Sequence, residues 1–150
     1  QHLADSWGSK VEQNFYAFND AHALIAYAAS GQFDIAGRLV RSLQDYVKNG
    51  DASTSNHFMT LEVVLPVCES ILGFAQGDYE ITIDRLMRIK NKTHLFGGSL
   101  AQRDVFSRTL LEAAIRAKKK RLASALISER MTHRPKSSYN HIKAEQIRSL

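Results

Sequence analysis

The chain contains one cysteine and two prolines in 150 residues, and these scarcities come first because each excludes something. A single thiol rules out any intrachain disulfide, so no covalent staple holds the fold. Cys68 lies in "VLPVCES", an apolar context in which a free thiol behaves as a small hydrophobe. No uninterrupted run reaches the ~18 apolar residues of a membrane span, and no charged-then-apolar leader opens the chain. The lone cysteine favours a reducing compartment, and the expectation is a soluble, cytoplasmic protein. The first residue is Gln1 rather than Met, as in a fragment or a processed product. Strict two-residue alternation is also scarce, so no segment demands a strand.

What is present is apolar spacing of three to four residues along most of the chain. Apolar residues make up 44% of the sequence, enough for one domain, 1–150, with a sizeable core. The spacing predicts an all-α fold of about seven helices. Val11, Phe15, Phe18, His22, Ile25 and Ala29 mark a first helix that Tyr16, Leu24 and Tyr27 widen until little of it is polar. Gly31 should end it in the left-handed conformation. A second helix runs from Phe33 to about Val47 with Ile35, Ala36, Leu39, Val40 and Leu43 inward. A third shows Phe58, Leu61, Leu65, Cys68, Leu72 and Ala75, and Pro66 within it should produce a kink.

Asp78 is the expected N-cap of a fourth helix with Ile83, Leu86, Met87 and Ile89 inside. The fifth carries Val105, Phe106, Leu110, Ala113, Ala114 and Ala117, and the sixth Leu122, Ala125 and Leu126, closed by Pro135. Tyr139, Ile142, Ile147 and Leu150 mark a short seventh helix that would cap a stack. The helix pairs fall at about 9–48, 54–93 and 99–133, with the cap at 138–150.

The turns inside the three pairs align: "AASGQFDIA", "FAQGDYEIT" and "IRAKKKRLA". Gly31 and Gly77 stand 46 residues apart, and Lys118 takes the same turn position 41 residues later. A repeat of that length points to antiparallel helix pairs stacked as an α-solenoid. The stretch "AQGDYEITIDRLMRI" resembles the second half of a tetratricopeptide repeat, and Ala36, Ala123 and Pro135 fall where that repeat prefers a small residue and a closing proline. Thr82 stands in place of the small alanine, and the spacing exceeds the ~34 residues of the standard repeat. "HLADSW", "AFNDAH", "LPVCES" and above all "GGSLAQRDVF" are similar, in that order, to the C-terminal part of the tetratricopeptide repeat protein 38 family, over His2 to about Arg130. That resemblance implies stacked TPR-like helix pairs, with further pairs upstream, and carries no assigned chemistry.

Charge is unevenly placed. Four basic against five acidic side chains leave −1 over residues 1–50, four against six leave −2 over 51–100, and twelve against four leave +8 over 101–150. Arg116, Lys118, Lys119, Lys120 and Arg121 form a basic patch at the third turn that would attract an acidic peptide, an anionic lipid head or a nucleic acid. Phe106 and Tyr139 are the nearest aromatics in sequence, too distant to interleave with it for base stacking.

Enzyme signatures are missing. "FGGSL" matches neither a dinucleotide loop nor a P-loop, and the six histidines include no i, i+4 pair of a helical zinc site. No catalytic residue, metal or cofactor is assigned. The polar island "NDAH" places Asp20 and His22 on an apolar helix, where each must find a partner. In "GGSLAQRDVF", Gly97 and Gly98 permit unusual backbone angles, Ser99 and Gln102 have capping-box spacing, and Arg103 falls in line with Phe106, Leu110 and Ala114. An inward cation needs a carboxylate, and Asp20 is the expected partner of Arg103, with Asp104 set for the helix terminus and Arg108. The leading expectation is a non-enzymatic helical-repeat module that binds another protein. The alternatives are an enzyme or small-molecule binder in which Asp20, His22, Arg103 and Asp104 converge on a cavity, and polyanion binding by the basic C-terminal third.

Overall fold

The computed structural model describes residues 17–96 and 99–150, and the regular elements in them are helical throughout. Val11, Phe15, Tyr16, the side chain of Phe18, the pair Gly97 and Gly98, and the "HLADSW" motif lie outside the described residues. α1 (Ala17–Ala29) and α2 (Phe33–Asn49) make a first hairpin. α3 (Ser55–Gln76) and α4 (Tyr79–Ile89) make a second. A 3₁₀ turn at Thr93–Phe96 leads to α5 (Leu100–Arg116) and α6 (Lys120–His133), and α7 (Ser138–Arg148) comes last.

The three hairpins turn in the same way. Gly31, Gly77 and Lys118 have φ of 73°, 84° and 55°, the left-handed region in each case. The residue after each donates its N–H back across the turn: Gln32 to Tyr27 at 2.9 Å, Asp78 to Gly73 at 2.8 Å, Lys119 to Ala114 at 2.9 Å. The left-handed residue itself donates to Ala28, Phe74 or Ile115 at 3.0–3.2 Å. Both bonds together are the Schellman closure, which satisfies carbonyls that a helix end would otherwise leave bare. Five residues after each turn centre stands a fully buried small side chain: Ala36, Thr82 and Ala123. Thr82 tolerates that place because its hydroxyl donates to Ser70 O at 3.1 Å or Asp78 O at 2.9 Å.

α3 is the centre of the packing. It touches α1, α2, α4 and α5, while α5 also meets α4 and α6, and α6 meets α7. Its 22 residues, with a mean hydropathy of 1.7 over 18 of them, make it the one described helix long and apolar enough to cross a membrane. Counting uninterrupted apolar runs missed this, because Glu62 and Glu69 break the run. Four helices pack on it.

Pro66 does not break α3. The backbone instead widens into a π-helical turn over Thr60–Val64, with Leu65 N–H reaching back five residues to Thr60 O. The wider turn falls just ahead of the proline, where its ring would crowd the carbonyl four residues back. One extra residue in a turn rotates the remainder of the helix by about 100° relative to the part before it, so no single stripe of constant helical spacing runs the length of α3. Phe58 and Leu61 are exposed, Ala75 too, whereas His57, Thr60, Val63, Val64, Val67 and Cys68 are buried.

Other inward assignments also shift. On α1 the buried residues among those described are Asp20, Ala21, Ala23, Leu24 and Tyr27, with His22 and Ile25 half-buried and Ala29 exposed. Met87 and Val105 are exposed, because α4 and α5 bury instead the faces holding Ile83, Leu86, Ile89 and Phe106, Leu110, Leu111, Ile115. Ala125 is exposed, and Ala123, Leu126, Ile127 and Arg130 take the inner face of α6. α7 packs chiefly on α6, so Ile147 and Asn140 are buried while Ile142 is 65% exposed and Leu150 also faces out.

Candidate functional site

The four polar residues singled out in the sequence divide into two places. Asp20 lies on the buried side of α1, 8% exposed, and its Oδ2 has no hydrogen-bond partner among the described residues. Burial pushes its carboxyl up to about 6. The fully buried Cys68 thiol is pushed up by burial and then by the negative charges of Asp20 and Glu69, which marks Asp20 as a neighbour of α3. Tyr27, two turns along α1, also has a buried hydroxyl without a partner among the described residues.

Arg103 and Asp104 are elsewhere, in the first turns of α5, facing the end of α4 and the last half of α6. No ion pair joins Arg103 to Asp20, and neither Asp20 nor His22 lines the cavity that Arg103 and Asp104 line. The expected pairing fails for a topological reason: α1 packs on α2 and α3, so its carboxylate is spent on the α3 side of the core. The capping box at the junction forms as read. Ser99 Oγ accepts from Gln102 N at 3.2 Å and Gln102 Oε1 accepts from Ser99 N at 2.7 Å, a reciprocal capping box.

The inward cation that meets a carboxylate is Arg130, which sequence reasoning did not single out. Its Nη1 donates to Asp104 Oδ1 at 2.8 Å and to Ser107 Oγ at 2.6 Å, and its Nη2 to Asp104 Oδ2 at 3.3 Å. Nε donates to Asn140 Oδ1 at 3.2 Å, and Asn140 Nδ2 returns bonds to the carbonyls of Arg130 and Arg134 at 3.2 Å. Arg134 Nη1 adds a bond to Asp104 Oδ2 at 3.0 Å. Burial would raise the Asp104 carboxyl, but hydrogen bonding and charge from Arg130, with the charges of Arg134 and Arg108, outweigh it and hold it below the usual carboxylate range. Arg108, the partner expected for Asp104, has its guanidinium over the Tyr139 ring, 4.3 Å from the centroid. α5, α6 and α7 are thus tied through one buried guanidinium. The available signal was spacing: Arg130 follows Leu126 and Ile127 by one turn.

Beside this hub opens a cleft of about 450 Å³ between the end of α4, the 3₁₀ turn, α5 and α6. Leu100, Leu110 and Leu126 supply apolar wall, and Thr93 and Ser107 supply hydroxyls. Four basic side chains, Lys90, Arg103, Arg130 and Arg134, face two carboxylates, Asp104 and Glu129, so these six side chains carry two formal positive charges in excess. Lys90 is paired with Glu129, and Arg130 and Arg134 with Asp104. Arg103 has no carboxylate partner among the described residues, and its buried Nε donates to nothing there. A smaller recess of about 50 Å³ shares Lys90, Thr93, Arg103, Ser107 and Leu110 with the cleft.

The basic patch is largely engaged within the chain. The Arg116 guanidinium lies 5.1 Å from the Phe74 ring centroid and 5.7 Å from that of Tyr79, and it donates to Tyr79 Oη at 3.3 Å. Lys119 pairs with Glu80, and Lys120 Nζ donates to Arg148 O at 3.0 Å. These contacts tie the third turn to the second turn and to the end of α7. Lys118 and Arg121 are exposed. The aromatics beside the patch are therefore Phe74 and Tyr79, not the sequence neighbours Phe106 and Tyr139.

Among the described residues, no group of three or more His, Cys, Asp or Glu side chains is placed to hold a metal ion. No protein-family model matches the chain, and no solved structure matches it.

Proposed function

We propose that this chain is a TPR-like helical-repeat module, similar to the C-terminal part of the tetratricopeptide repeat protein 38 family, and that it acts by binding another protein rather than by catalysis. The observation that carries this reading is the repetition of one turn, with left-handed Gly31, Gly77 and Lys118 followed by buried Ala36, Thr82 and Ala123. Each hairpin also packs on its chain neighbours, α3 on α1 and α5 on α3, which is how stacked repeats propagate. Such stacks present long side-chain surfaces to partners. Fold-level analogy supplies the step from stack to partner binding.

Cross-linking with mass spectrometry, in extract of cells that express the chain, tests it. One protein cross-linked reproducibly through one face of the helices is the expected result. Turnover of a small molecule by the purified chain, with no reproducible cross-linked partner, would overturn the reading.

A further inference from the structure

We propose that the cleft between α4, α5 and α6 binds a phosphate monoester. The inference goes beyond partner binding by the helical stack, since it concerns one pocket and one ligand chemistry.

Charge is the first argument. The lining leaves two positive charges uncompensated, and a phosphate monoester carries about −1.5 to −2 at pH 7. A single carboxylate would neutralise only half of that excess. The second argument is donor geometry. The fork of Arg130 is already taken two-point by Asp104, so the chain itself fills the carboxylate slot of this cleft. What stays open is a set of separate donors: the Arg103 guanidinium, and the hydroxyls of Thr93 and Ser107, all on the same lining. Ser107 Oγ already accepts from Arg130, which leaves its own proton for an outside acceptor. Three terminal phosphate oxygens suit several single donors converging from different elements better than two coplanar carboxylate oxygens do.

Arg103 is the third argument. Its guanidinium stands on the cleft wall without a carboxylate partner among the described residues, which leaves its charge for an anion in the cleft. The side chain projects from the first turn of α5, whose positive dipole end adds to the attraction for an anion. The volume, about 450 Å³, exceeds what a bare phosphate fills and lies in the range of small-molecule sites. Leu100, Leu110 and Leu126 would take the organic body of the ester.

The test titrates the full chain, monitored by two-dimensional amide NMR, with phenyl phosphate, with succinate, and with a short phosphoserine peptide beside its unphosphorylated form. Saturable shifts at Thr93, Arg103 and Ser107 with phenyl phosphate are expected, with succinate at least ~10-fold weaker, and Arg103→Gln should weaken phenyl phosphate ~10-fold or more, the loss of one charge-assisted contact pair. Lys90→Gln should weaken it several-fold, and Lys119→Gln, at the distant turn, should leave it unchanged. Because Arg103 has no carboxylate partner to orphan among the described residues, Arg103→Gln should keep its melting temperature, so lost binding is separated from lost fold. Tighter binding of the phosphopeptide than of phenyl phosphate assigns the monoester to a modified protein side chain; equal or weaker binding assigns it to a free organic phosphate. Failure of both phosphorylated probes, equal affinity for succinate, or indifference to Arg103→Gln would overturn the proposal. None of these outcomes depends on whether the helical stack captures a protein.

Discussion

Arg130 and Asp104 make a two-point ion pair between α6 and α5, at 2.8 and 3.3 Å, with the arginine only 8% exposed. Asn140 on α7 satisfies the remaining Nε of the same guanidinium. Removing one member of a buried pair strands the other charge and costs about 3–5 kcal/mol. Because Arg134 still pairs with Asp104 at 3.0 Å, Arg130→Met should destabilise the chain by less than that, about 2–3 kcal/mol, in urea unfolding. Asn140→Ala, which leaves Nε without an acceptor, should cost about 1–3 kcal/mol. If Arg130→Met unfolds at the wild-type midpoint, the guanidinium does not hold these three helices together.

The same pair sets part of the acid response. The folded-state carboxyl of Asp104 lies below its ordinary range, so its contribution is present above the unfolded pKa of about 4 and is lost as pH falls through the folded value. Wild-type chain should lose stability below about pH 4 more steeply than Asp104→Asn, which has no such titration. Parallel acid limbs for the two would contradict the assignment.

Lys118 holds at φ 55° a turn conformation that Gly31 and Gly77 reach without a Cβ penalty. A left-handed L-residue costs about 1–2 kcal/mol, part of which glycine returns through unfolded-chain entropy. Lys118→Gly should raise stability by about 0.5–1 kcal/mol by this account. Gly31→Ala and Gly77→Ala should each lower it by about 1 kcal/mol. A Cβ at either glycine would meet nothing within 4 Å, so the loss there is backbone strain alone. Thermal unfolding of the three variants checks the signs; a destabilising Lys118→Gly would refute the equivalence of the turns.

These turns were legible in the sequence because their signals are local. A glycine before an aspartate or a glutamine, a Ser99–Gln102 box and an Asp78 cap all act within four residues. The candidate site was half legible for the opposite reason. Arg103 was found by its inward spacing, but that spacing could not say which cation meets which carboxylate across helices. Arg130 lies 26 residues from Asp104, and Phe74 and Tyr79 lie about forty residues from Arg116. The face of α3 was misread at Phe58 and Leu61 because the π turn at Thr60–Val64 changes the register between the start of the helix and the part beyond it, where Cys68 is buried as expected, and nothing in residue spacing announces such a turn.

Tyr27 is fully buried with its hydroxyl unpartnered among the described residues. Such a group carries the desolvation cost of about 1–3 kcal/mol without the return of a hydrogen bond. Tyr27→Phe keeps the ring packing and removes only that oxygen, so it should be neutral to about 1 kcal/mol more stable. A loss of more than about 1 kcal/mol in urea unfolding would show that the oxygen is bonded.

Asp20 sits on the same buried face, and its pKa is raised from 3.8 to about 6 by burial. The protonated form is then the one the fold prefers. The contribution of this carboxyl is fully present below the unfolded pKa near 4 and is lost as pH rises through about 6, the reverse of Asp104. A displacement of that size corresponds to about 3 kcal/mol between pH 4 and pH 7. Asp20→Asn replaces the acid by a neutral group of the same shape, so it should remove the dependence. Urea midpoints measured from pH 4 to pH 8 should show the variant more stable than wild type by about 2–3 kcal/mol at pH 7.5. The difference should shrink toward zero near pH 4. Taking the difference at each pH cancels the groups that the two proteins share. A gap that stays constant with pH would mean that Asp20 does not titrate in the fold, and a gap of opposite sign at pH 7.5 would mean that its carboxylate has a cationic partner.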